Sequence, residues 1–151
     1  MTNNDLLRLI SVSFDMDNKE LLSVFALGGL EISTAELESI LSQDQSKVRE
    51  FPDIEFSSFL NGLITFKRGP SDKGVAKPDD KLTYNMIFKK IKIAMGLHNE
   101  DIIQILASVG IDLPEFELSA YLRRENHKNY RPIRAQLLRN FIFAIGEVQG
   151  L

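Results

Sequence analysis

Six cations, Arg123, Arg124, Lys128, Arg131, Arg134 and Arg139, lie within 17 residues, with His127 and Tyr130 among them and only Glu125 to offset them. Guanidinium forks beside a stackable ring are the side chains that phosphate and RNA recognition use. Lys89, Lys90 and Lys92 would extend the set if the helix that carries them lies alongside. The plainer reading of the same residues is a solvated face that offsets the acidic first half, either open to water or ion-paired with it.

Enzyme chemistry finds less to work with. The two histidines, His98 and His127, fall at a helix start and in a loop, and read as a cap and a surface imidazole. No carboxylate pair shares a face with either, so no zinc or di-iron ligand set is visible. With no cysteine in the chain, thiolate metal sites, disulfides and cysteine nucleophiles are excluded. No serine sits in a G-x-S-x-G elbow. Gly28-Gly29 and Lys67-Arg68-Gly69 lack the strand-to-helix setting of a phosphate loop. The expectation is a protein that is not an enzyme and uses no catalytic residue, cofactor or metal.

Charge is unevenly spread. Residues 1–66 hold four basic and eleven acidic side chains, and residues 67–151 hold fourteen and ten. Such asymmetry bears on partners rather than on fold. Met1–Ile10 has no basic n-region, and no window nears the roughly 20 apolar residues of a membrane span. The expected location is the cytoplasm.

The elements that must position these residues come from a repeat. Asn4–Leu41 lies on Asn85–Leu122 at a shift of 81 without a gap, with eight identities including Asn4/Asn85, Gly29/Gly110 and Glu36/Glu117. Apolar falls on apolar at most other sites, as in Leu6/Ile87, Phe25/Leu106 and Ile32/Leu113. One supersecondary unit that needs a neighbour to bury its apolar face gives this signature.

Helix signals fill each copy. Asn4 reads as an N-cap before Leu6, Leu7 and Ile10, and Thr83 or Asn85 does the same for Ile87, Phe88 and Ile91. Asp17 with Glu20, and Ser33 with Glu36, spell capping boxes. Gly28-Gly29 and Gly110 end helices, and Pro114 stands where Ser33 stood. Pro52-Asp53 opens a helix lined by Phe56, Phe59, Leu60 and Leu63. Pro132 opens the last, lined by Ile133, Leu137, Phe141 and Ile145. If the halves pack about a twofold axis, these two helices should form the interface. Lys67–Lys81 carries eight charges, two Gly and two Pro, and should be a mobile linker.

Two further patterns bear on function. The hairpin Asp17–Leu41 has the outline of a helix-turn-helix, but its second helix carries Glu36 and Glu38 and no cation, so it would repel phosphate. Asn61 and Asn140, related by a two-residue slip, each interrupt an apolar helix and read as a repeated structural joint.

The runs N-N-D-L-L-R at Asn3–Arg8, F-A-L-G-G at Phe25–Gly29, S-S-F-L-N-G-L-I at Ser57–Ile64 with K-R-G at Lys67–Gly69, and H-K-N-Y-R at His127–Arg131 followed by Q-L-L-R-N-F at Gln136–Phe141 resemble the bacterial YehS family. The likeness spans the duplicated halves and the linker. It implies a small cytoplasmic bacterial protein of a family without an assigned function, and carries over no catalytic or cofactor residue.

The expected fold is all-α: two tandem four-helix repeats, residues 1–66 and 83–151, joined by a polar linker at 67–82 and packed pseudo-twofold into one domain. The expected function is a non-enzymatic interaction or regulatory module for a protein partner or a second copy. The alternative is an RNA- or nucleic-acid-binding accessory protein that uses Arg123, Arg124, His127, Lys128, Tyr130, Arg131 and Arg134.

Overall fold

Eight helices and no strand make up the described residues, 1–149, of the computed structural model. They are α1 (Asn3–Ser13), α2 (Asn18–Leu27), α3 (Thr34–Leu41), α4 (Asp53–Arg68), α5 (Tyr84–Ala94), α6 (Asn99–Ser108), α7 (Glu115–Leu122) and α8 (Ala135–Gln149). Among the described residues no helix is long and apolar enough to cross a membrane.

Capping follows the local sequence closely. Asp17 accepts from the Glu20 N–H at 2.8 Å, and Ser33 accepts from the Glu36 N–H at 3.0 Å, each with the glutamate reaching back. Gly29 and Gly110 both hold the left-handed conformation after their helices, at φ 88° and 82°. Two assignments from the sequence are corrected and one alternative is decided. Thr2, not Asn4, caps α1, accepting from the Asp5 N–H, and of the two candidates for α5 it is Thr83 that caps, accepting from the Met86 N–H. The two asparagines lie inside their helices and are buried. The last helix starts at Ala135 rather than Pro132, and the Ile133 N–H ahead of it is bonded to the Asn85 side-chain oxygen.

One continuous core runs through the molecule. Helix α2 packs on α4, α4 on α5, α1 on α8 and α6 on α8. The two helices expected at the interface therefore each face the first helix of the other segment. Phe25 lies 5.0 Å from Phe59 and 5.8 Å from Phe51, ring centre to ring centre, in a phenylalanine cluster completed by Phe56. Phe88 and Phe141 form a closer pair at 4.3 Å. Tilted and edge-on aromatic contacts of this kind add to the stabilisation from burial alone.

The linker differs from expectation. Lys67 and Arg68 belong to α4, and the second part of the connection is bonded down. The Ser57 hydroxyl, fully buried, accepts from the Asp79 N–H at 2.8 Å and donates to its carboxylate at 3.0 Å. Lys90 reaches the same carboxylate at 3.2 Å. The Asn61 amide donates to the Ala76 carbonyl and accepts from Lys90 at 2.7 Å, and Asp53 accepts from the Leu82 N–H. Composition misses this because backbone groups and one aspartate, rather than apolar side chains, do the anchoring.

The closest helix crossing is that of α2 and α4. A Cβ at Gly28 would collide with the Ser58 carbonyl oxygen, and one at Gly62 with the Val24 carbonyl oxygen. Both obstacles are backbone, so neither can swing aside. Replacing Gly62 with Ala should push the helices apart and destabilise the fold, with a collision cost of about 1–3 kcal/mol, the usual range for overpacking. The gain in helix propensity, about 1 kcal/mol, should offset only part of the collision. Chemical denaturation of Gly62→Ala against the parent chain measures this; an unchanged midpoint would contradict the crossing as described.

Candidate nucleic-acid interface

Asn85 builds the floor of the site. Its amide nitrogen donates to the carbonyls of Tyr121 at 3.0 Å and Arg131 at 2.8 Å, and its oxygen accepts from the Ile133 N–H at 2.9 Å. This one side chain thus ties the end of α7 and the start of α8 to α5, and shapes the loop between them. Asn4 makes matching bonds, to Ile40 and Arg49, both at 2.9 Å.

Above Asn85 lies a cleft of about 160 Å³. Thr83, Met86 and Lys89 of the α5 start form one wall, and Arg123, Arg124, Glu125 and Tyr130 of the α7–α8 loop form the other. Lys89, Arg123 and Arg124 are exposed, and Tyr130 is half-buried. His127 braces the loop: its Nδ1 accepts from the Asn129 N–H at 3.0 Å, and its other ring nitrogen lies 3.2 Å from the Arg123 guanidinium.

Ion pairing is absent from these walls. Among the described residues the pairs are Arg8–Asp5, Arg49 with Glu36 and Glu55, Lys90–Asp79, and Arg131–Glu117. Lys89, Arg123, Arg124, Lys128 and Arg134 join none of them. The reading of a basic loop neutralised by the acidic first segment is not what the geometry gives, since its one ion pair is local.

The sequence-selected cations do not all converge. Arg131 and Arg134 line a separate hollow of about 610 Å³ with Glu117, Tyr121 and Pro132. There the Tyr121 hydroxyl donates to Glu117 at 2.7 Å. Burial, then the Glu117 contact, pushes the phenol above its ordinary pKa, so it remains a donor at neutral pH. Arg139 lies apart, beside Met1, Asp5 and Leu9. Of the three lysines of α5, Lys89 joins the cleft, Lys90 holds the linker, and Lys92 faces the far end of the helix.

Asn61 and Asn140 have unlike surroundings. Asn61 is buried in the linker network, whereas Asn140 is half-buried and accepts from Gln136 at 3.1 Å. The recurrent buried pair is Asn4 and Asn85, which the identity at a shift of 81 had already marked. The first segment has a hollow at the corresponding place, about 310 Å³, lined by Asn4, Asp5, Arg8, Ser42 and Arg49 among others. Its cations are consumed: Arg8 binds Asp5 and the Ser42 carbonyl, and Arg49 binds Glu55 at 2.7 Å.

A family described as "Protein of unknown function (DUF1456)" matches residues 3–69 and 84–145. The chain is 35% identical over 144 residues to the "Uncharacterized protein YehS" of Escherichia coli (strain K12), covering 94% of this chain and 92% of that protein. No solved structure matches it.

Replacing Asn85 with Ala would strand two carbonyls and one N–H in the interior. The expected loss is about 2–4 kcal/mol of stability, from the cost of buried unsatisfied groups. Thermal and urea unfolding of Asn85→Ala measure it, and a loss below about 1 kcal/mol would show that water replaces the amide.

Proposed function

The chain belongs to the DUF1456 family of proteins of unknown function, and from that premise we propose that it is a non-enzymatic module that binds single-stranded RNA through the cleft over Asn85. The observation that carries this reading is the set of unpaired cations, Lys89, Arg123 and Arg124, converging beside the Tyr130 ring. A narrow, concave site of this size suits a single phosphate with a base stacked on the ring. A duplex would need a broader cationic surface. The Asn85 amide on the cleft floor is engaged in structural bonds, and the one carboxylate in the walls, Glu125, is an exposed group of the loop.

The architecture behind the site is, in the same reading, two helical repeats, residues 1–66 and 83–151, packed pseudo-twofold across the 67–82 connection. Three observations support this: the reciprocal packing of α1 on α8 and α4 on α5, the matching bonds of Asn4 and Asn85, and the family's match to each segment. The reading has the second repeat keep its cleft open and charged while the first neutralises its own.

A protein partner is the second reading. It rests on Phe116, 73% exposed at the start of α7, and on exposed aliphatic residues such as Val12. Apolar side chains exposed one at a time are ordinary on any surface, so the cationic cleft takes precedence.

Fluorescence anisotropy of labelled single-stranded RNA tests the proposal. With one phosphate neutralised in the cleft, log K should fall with log salt at a slope of about −0.7, roughly threefold between 50 and 200 mM. The combined change Lys89→Gln, Arg123→Gln and Arg124→Gln should abolish that binding, and the parent should prefer single strands to duplex DNA. No binding at low salt, or binding indifferent to the triple change, would overturn the assignment.

A further inference from the structure

A second cationic hollow, about 450 Å³, lies at the other end of α5, between Arg68 at the end of α4, Lys92 and Ile93 of α5, and Gly96, Leu97 and His98 beyond it. Neither Arg68 nor Lys92 joins an ion pair among the described residues. We propose that this hollow is a second phosphate contact for the same single strand, so that RNA runs along α5 from the Asn85 cleft to Gly96. The inference rests on the RNA reading given above and adds to it a path and a minimum length.

The geometry of α5 supplies the path. Met86 and Lys89 line the first cleft, Ile93 lines the second hollow, and these positions are three and four apart, on one helical face. Gly96 continues the same spacing past the helix end. Ten residues at about 1.5 Å each separate Met86 from Gly96, or roughly 15 Å. That length corresponds to four or five stacked nucleotides at about 3.4 Å apiece.

Gly96 shows how the hollow is built. It holds a left-handed φ of 63°, the conformation that Asp15, a residue type that tolerates it, holds at φ 52° at the position 81 residues earlier. What glycine adds is room. A Cβ at position 96 would stand 2.9 Å from the Arg68 guanidinium, so its absence lets Arg68 lie across the turn. The same corner of the first segment carries Asp15 and Asp17 where this one carries Gly96 and His98. The acidic groups nearest the second hollow in sequence are Glu100 and Asp101, and Asp101 is occupied by the His98 N–H at 2.7 Å.

The experiment compares a trinucleotide, too short to reach both sites, with an oligonucleotide of about ten residues, long enough to span them. Arg68→Gln with Lys92→Gln should leave trinucleotide affinity unchanged and reduce the salt slope of the longer strand by about 1. Lys19→Gln with Lys47→Gln removes the same charge far from α5 and should change neither. If the parent binds both lengths but the Arg68/Lys92 variant matches the Lys19/Lys47 control, the second contact is wrong while the cleft stands. If trinucleotide binding is lost as well, the two sites are not separate and the path is overturned. Failure of the parent to bind either length would instead defeat the RNA reading itself.

Discussion

The arrangement of the molecule depends on a buried amide. Asn85 sits within the first two turns of a helix, away from solvent, and satisfies three backbone groups that belong to two other stretches of chain. Asn4 serves the first segment in the same manner. A loop between two helices cannot lie against a core unless its carbonyls and N–H groups find partners. A side-chain amide, which donates and accepts in one plane, meets that requirement where an apolar residue could not. Loop shape, and with it the wall of the cationic cleft, follows from this contact.

The backbone anchor has an electrostatic counterpart. Both segments place a hollow at the same corner, yet the first surrounds its arginines with carboxylates and carbonyls, and the second leaves its cations without partners. Unpaired surface charge does little for stability and repels its neighbours, whereas exposed ion pairs contribute at most modestly. The uncompensated cations around the second hollow are therefore no device of stability; they leave that corner of the surface positively charged.

Much of this was legible in the sequence, for identifiable reasons. Periodicity placed the eight helices, and capping boxes such as Asp17–Glu20 depend on residues three apart, which sequence displays directly. The errors share one cause, which is that the deciding contact lies far along the chain. Asn4 has the composition of a cap, but its partners are Ile40 and Arg49. Asn61 and Asn140 look alike in helical context and differ because Lys90 and Ala76 reach only the first. Arg131 belongs to the basic run by spacing and is removed from it by Glu117. Arg68 stood in the Lys67-Arg68-Gly69 run without a sign of its setting, which involves Gly96, 28 positions away. The repeated identity Asn4/Asn85 was the one available hint of the buried amides.

The docked connection bears on where the chain could be opened without loss of form. Residues 69–75 are exposed at the tip of the crossing, whereas Ala76, Asp79 and Leu82 are bonded to α4 and Asp79 also to α5. A break at Lys73–Gly74 would fall outside that anchorage. The fragment from Gly74 onward would still carry Asp79 to Ser57, and α8 would still cover α1. The nicked molecule should persist as a two-chain complex, which makes the tip a natural place to relocate the termini in a circularly permuted form.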